Sequence, residues 1–124
     1  MKKLFTLLIL LGTIIACETD DIAPINERIE GEWVWIQSVG GIDGRTDTPD
    51  NTQVEIYIVI NENTLRSYEN GALTSNRSFN MTRGNSIYSE GEKDLLTFVD
   101  GGITLSVELI GNRLFLRDEC YDCF

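Results

Sequence analysis

The chain contains no histidine. That removes the side chain used most often as a general base near neutral pH, and the commonest protein ligand for transition metals. Proline is nearly as scarce, with only Pro24 and Pro49. Basic residues are few: 10 Lys and Arg stand against 20 Asp and Glu, for a formal net charge of −10. Phosphate backbones are bound by clustered cations, so this balance argues against nucleic acid as a partner. Acidity of this kind keeps a domain soluble. Long helical periodicity is missing too, and with it the crossover that a parallel sheet requires. No cofactor is called for and no catalysis is expected. What remains, 124 residues of which 42% are apolar, suffices for one small packed domain.

The first residues have a pattern of their own. Lys2 and Lys3 precede an apolar run from Leu4 to Ile15. The run is shorter than the roughly 20 residues that a spanning helix needs, and it fits a secretory signal. Ile14-Ile15-Ala16-Cys17 follows it. A small residue and then Cys at this place resembles the lipobox of bacterial lipoproteins, with Ile14 where Leu is usual. The resemblance implies a signal peptide over 1–16 and cleavage before Cys17. It also implies a diacylglyceryl thioether on the Cys17 sulfur and a palmitate-type acyl chain on its new amino group. More than one chain makes a stable membrane anchor. Cleavage removes Lys2 and Lys3 and takes the formal charge from −10 to −12. Glu18, Asp20 and Asp21 then lie directly behind the lipid. They form a solvated tether over 17–24, or an acidic tag resembling the one that exports lipoproteins to the cell surface.

The domain is expected over 25–124. Ile25 and Ile29 share one face of a single helical turn. From Gly31 the apolar period becomes two. Trp33, Trp35, Gln37 and Val39 share one face of a first strand, with Val34 and Ile36 on the other. Gly40-Gly41 stops it, and a long polar loop runs to Thr52. Further strands are predicted over 53–61, 64–69, 72–83, 86–89, 95–99, 103–110 and 113–118. Asn70-Gly71 is the strongest hairpin signal. Gly84-Asn85 and the charged stretch Glu90–Asp94 are read as turns. Leu73, Phe79 and Met81 are placed on one face. The fold class is therefore all-β, an antiparallel meander of about eight strands closed into a small barrel, possible opening at one edge included.

Gly31-x-Trp33-x-Trp35, Gly40-Gly41-Ile42, Thr48-Pro49 and the closing Leu116-x-Asp118-x-Cys120 together resemble small lipocalin-like lipoproteins of Gram-negative bacteria. The resemblance implies that Trp33 packs at the closed end of the barrel under an Arg in cation–π contact. Arg117 is the first candidate and Arg113 the second. Similar proteins continue past the last Cys into another Arg-bearing strand, whereas this chain stops at Phe124. A barrel open at one edge is the corresponding expectation.

Candidate chemistry is sparse. In an oxidising compartment Cys120 and Cys123 form a local disulfide or remain two free thiols. Asp43, Asp47 and Asp50 match no calcium loop, so no metal is expected. Trp35, Tyr57, Tyr68, Phe79 and Met81 are the candidate ligand-binding residues, together with Trp33 and Phe98 among the inward positions. They line an apolar cavity open at the long-loop end, or they fill the core. Two non-enzymatic functions follow, ahead of a third and weakest reading, a hydrolase using loop carboxylates. The first is a lipid-anchored, non-enzymatic carrier at the outer membrane, exposed at the surface or facing the periplasm, that binds a small apolar or amphipathic ligand. The second is an interaction module with a filled barrel that engages a protein or glycan through residues 40–52.

Overall fold

A computed structural model describes residues 22–40 and 43–120. The expected signal peptide, Cys17 and Cys123 lie outside the described residues. The elements in chain order are α1 (Ile25–Arg28), β1 (Gly31–Val34), β2 (Ser38–Gly40), β3 (Arg45–Asp47) and α2 (Pro49–Thr52). They are followed by β4 (Ile56–Asn61), β5 (Thr64–Glu69), β6 (Ala72–Asn85), β7 (Glu92–Phe98), β8 (Thr104–Ile110) and β9 (Arg113–Asp118). Seven strands form one antiparallel meander in the order β1-β4-β5-β6-β7-β8-β9, curled into a nearly closed barrel with one open seam. The seam lies between β1 and β9, the two ends of that order. β2 and β3 make a separate ribbon. Every described helix and strand falls between Ile25 and Asp118, so the chain from Glu18 onward carries all of them.

β6 joins the two halves of the sheet. Up to Ser78 it pairs with β5, and from Phe79 onward it pairs with β7. Phe79 and Phe98 face each other at that change of partner, and both are buried. With Ile29, Ile60, Leu65, Leu96 and Val107 they form the core, against which Ile25, Trp33, Ile58, Met81, Leu105, Leu114 and Leu116 pack. α1 closes one end. Its last carbonyls would be orphaned, and the Trp33 indole Nε1–H donates to the Ile29 carbonyl at 2.8 Å. Glu30 Oε1 accepts from the Glu62 N–H of the β4–β5 hairpin at 3.1 Å, which ties that turn to α1.

Local chemistry explains most of the connections. Asn70 and Gly71 both have positive φ, 48° and 83°, as a type I′ hairpin requires. α2 begins with Thr48 as N-cap in a reciprocal capping box with Asn51, and Pro49 occupies its first turn.

Several local expectations change. The first strand stops pairing after Trp35 and resumes as β2, so the long loop is a ribbon plus one helical turn. The Trp35 indole N–H donates to Ser38 Oγ at 2.7 Å across the intervening bend. Gly84-Asn85 is not a turn: both residues lie in β6, opposite Lys93 and Glu92. A Cβ at Gly84 would sit 3.0 Å from Leu95 Cδ1, so the glycine serves close packing. Glu92 and Asp94 belong to β7, because Arg83 pairs with both across the hairpin, at 3.8 and 3.2 Å. Residues 86–89 are consequently loop and not strand. Leu73 leaves the face of Phe79 and Met81, because a bulge between Ser67 and Tyr68 leaves Thr74 unpaired and shifts the alternation.

Candidate functional site

The register decides where the five expected ligand residues go. Ile58 lies opposite Trp33 and packs on the core, so its neighbour Tyr57 faces outward. Tyr57 and Tyr68 are cross-strand partners, and their rings stack on the outer face at a centroid distance of 4.6 Å, nearly parallel at 5°. Phe79 is fully buried, and Met81 packs against the core that holds it. Trp35 is half-buried beyond the end of β1, with its indole N–H on Ser38. The structure therefore brings Phe79 and Met81 together inside, Tyr57 and Tyr68 together outside, and leaves Trp35 with the ribbon. The five do not line one cavity. Phe98 is buried beside Phe79, among the core residues.

The expected cation–π contact also goes elsewhere. Arg117 lies with its guanidinium carbon 5.6 Å from the centre of the Phe115 ring and reaches Glu108 at 3.5 Å. Its backbone pairs with Ser106, one step from the inward Leu116 and Leu105, so Arg117 and Phe115 are on the outer face while Trp33 packs on the core. The arginine that covers a core ring is Arg77. Its guanidinium carbon sits 3.8 Å from the centre of the Phe98 ring, and its nitrogens clamp the Asp100 carboxylate at 2.6–3.2 Å. A side-chain hydrogen bond from Arg77 holds the Asp100 carboxyl below the usual aspartate range against the opposing effect of desolvation.

A line of exposed and half-buried apolar and aromatic side chains crosses the outer face of the first half of the sheet. Val34 faces Tyr57, Tyr57 faces Tyr68 and Tyr68 faces Leu73, one residue from each of β1, β4, β5 and β6. Val34 is 70% exposed and Leu73 54%. Ile36 and Val39, 57% and 65% exposed, follow Val34 in the chain and lead into the ribbon. Exposed apolar surface gathered this way is a mark of contact sites.

The ribbon carries an open polar cleft of about 410 Å³ edged by Ser38, Val39, Gly40, Asp43, Arg45 and Asp47. Arg45 occupies the charges there: its guanidinium is 3.0 Å from Asp47, and its N–H donates to Asp43 at 3.2 Å. Among the described residues no group of three or more acidic, Cys or His side chains is arranged to hold a metal ion. A smaller cleft of about 230 Å³ lies beside α1. Most of its charges are paired, Arg83 with Glu92 and Asp94, and Lys93 with Glu108.

One device has no signal in the sequence. The loop after β6 is held by Glu119, whose carboxylate accepts from Ser86 Oγ at 2.5 Å and from the Ile87 N–H at 2.8 Å. The Tyr88 hydroxyl donates to the Asp118 carbonyl. Partial burial opposes the Glu119 charge, and the hydrogen bonds from Ser86, Ile87 and Ser106 outweigh it, so its carboxyl titrates below the usual range. Cys120 is disulfide-bonded. Its partner lies outside the described residues. No described helix is long and apolar enough to cross a membrane. No protein-family model, curated protein or solved structure matches the chain.

Proposed function

We propose that this chain is a lipocalin-like lipoprotein of the outer membrane, held by lipid on Cys17, that acts without catalysis as an interaction module. It engages a protein or glycan partner through the ribbon and helical turn that follow Val34. The observation that carries this reading is the division of apolar residues between inside and outside. Phe79, Phe98, Leu96 and Ile60 fill the interior, while Val34 and Ile36 stand exposed ahead of the ribbon and Val39 within it. A carrier would place its aromatic residues around a cavity, and here two of the candidates are core and two lie on the outer face. Interfaces draw their affinity from exposed apolar and aromatic groups of this kind set within a polar rim. The lipid anchor is supported by Ala16-Cys17 after the apolar run, and the absence of histidine supports a non-enzymatic role.

Native mass spectrometry of the chain from Glu18, after exposure to lipid extracts of its host, separates the two readings. The expected result is the bare mass. A bound mass that disappears on denaturation would restore the carrier reading. The interface is tested with the Ile36→Asp and Val39→Asp variants, which should keep the fold and lose binding to the host cell surface. Retained binding would remove the ribbon from the reading. Incorporation of labelled palmitate, lost in Cys17→Ser, tests the anchor.

A further inference from the structure

The open seam has a direction. Each of the seven strands is antiparallel to its neighbours, so β1 and β9 run the same way. No antiparallel ladder can close between them directly. One further strand, running opposite to both, would complete an eight-stranded antiparallel barrel.

The backbone at both edges is set for such a strand. The Trp35 N–H donates to the Ile56 carbonyl, one register step beyond the pair Val34–Tyr57. In an antiparallel ladder, paired and unpaired residues alternate, so Gly31 and Trp33 address β4 while Glu32 and Val34 turn their backbone groups into the seam. On the other side the Glu119 N–H donates to the Thr104 carbonyl, one step beyond Asp118–Leu105. By the same alternation Leu114 and Leu116 turn their N–H and carbonyl groups into the seam. The Asp118 carbonyl is already taken by Tyr88, which caps the far end of that edge. The side chains are ordered too. Trp33, Leu114 and Leu116 point to the core on either side of the seam. Glu32, Arg113 and Arg117 are on the outer face, and Arg113 has no ion pair among the described residues.

We propose that the seam is a strand-acceptor site for an extended segment of another polypeptide. The segment runs antiparallel to β1 and β9. It places apolar side chains between Trp33 and Leu114–Leu116 at alternate positions, and an acidic side chain outward beside Arg113. Main-chain hydrogen bonds supply affinity in this mode, and the alternating pockets supply selectivity. A second folded copy fits less well, because its own edge strands already belong to a sheet and can satisfy only one side of the seam. The inference does not rest on the ribbon reading and concerns a different surface.

The test supplies a strand. A short segment of alternating valine and threonine with one aspartate is joined through a glycine-serine linker to the C-terminus of the chain from Glu18, so that it re-enters antiparallel to β9. A control carries proline at two of its valine positions. Hydrogen exchange is read residue by residue. In the unextended protein the amides of Glu32, Val34, Leu114 and Leu116 should exchange freely, unlike those of Trp33 and Phe115. The attached strand should slow these four by at least about tenfold, and the proline control should not. Free peptide of the same sequence should slow the same four as its concentration rises. Protection of these amides in the unextended protein at low concentration would overturn the proposal, because the seam would already be sealed. No protection by the attached strand would overturn it as well. Protection that grows with protein concentration alone, alongside dimer formation, would assign the seam to a second copy and overturn the proposed partner.

Discussion

Arg77 lies over the Phe98 ring with its guanidinium carbon 3.8 Å from the ring centre, and in the same position it grips Asp100. The contact joins β6, at the point where it changes partner, to the hairpin between β7 and β8. Arg77→Gln should lower the melting temperature by a few degrees and speed exchange in residues 99–103. Arg77→Lys should recover only part of this, since an ammonium cannot both stack on the ring and bind the carboxylate in a fork. The Asp100 carboxyl titrates below its unfolded value of about 3.9, so the contribution is complete above that pH and is lost as pH falls through the depressed value. The gap in melting temperature between wild type and Arg77→Gln should therefore be constant from neutral pH to about 5 and shrink below about 4. A gap that does not change with pH would show that the ion pair contributes nothing.

Glu119 makes a second pH-dependent contact. It is held ionised by donors from the loop that it pins, namely Ser86 and the Ile87 N–H. Its folded value lies below the ordinary glutamate value of about 4.3, so the loop is held at neutral pH and released only as pH falls through the depressed value. The Ile87 amide shift, followed by NMR, should titrate with a midpoint below about 4.3. In Glu119→Gln that step should vanish and the Ile87 amide should exchange faster at pH 7. An Ile87 midpoint at or above the ordinary value would contradict the hydrogen-bonded carboxylate.

The aromatic candidates separate by energy as they do by position. Phe79 is fully buried where the two halves of the sheet meet, and Phe79→Ala should cost about 3–5 kcal/mol in urea unfolding. Tyr68 stacks with Tyr57 on the half-exposed outer face, and Tyr68→Ala should cost only about 0.5–1.5 kcal/mol. Equal costs would mean that the inner and outer faces have been assigned wrongly.

These contrasts show which parts of the structure are legible in the residues alone. Asn70-Gly71 encodes its hairpin locally, through two positive φ angles. The alternation of Ile58 and Ile60 with Tyr57 is legible in the residues, and both isoleucines belong to the core side. In the same strand Tyr57 alternates with them, so its outward position follows from the pattern, while its aromatic character points misleadingly to a cavity. Alternation alone misplaces Leu73, because a bulge is one unpaired residue and nothing in Thr74 marks it. Gly84-Asn85 looks like a turn because glycine has two uses, positive φ and close packing, and only a neighbour such as Leu95 tells them apart. Arg77 carries no signal of its role. It lies between Asn76 and Ser78 in a polar stretch, and both its partners come from a hairpin more than 20 positions further on.

The two uses of glycine give the last prediction. Gly71 has φ of 83° with open space where a Cβ would go, and Gly84 has ordinary strand φ with Leu95 Cδ1 at 3.0 Å from that position. At Gly71 an alanine meets no neighbour, yet it must hold a left-handed backbone, which costs roughly 1–2 kcal/mol. At Gly84 an alanine gains the strand preference that glycine lacks, roughly 0.5–1 kcal/mol, and loses it again to the extent that the Leu95 methyl must shift. Gly84→Ala should therefore be close to neutral, while Gly71→Ala should be clearly destabilising. Gly84→Val should destabilise in its turn, since a branched side chain cannot be accommodated by moving one methyl group. Urea unfolding of the three variants decides it. If Gly71→Ala were neutral and Gly84→Ala severe, the hairpin at Asn70-Gly71 would not have its left-handed geometry, and the β6–β7 pairing would be tighter than the contact with Leu95 implies.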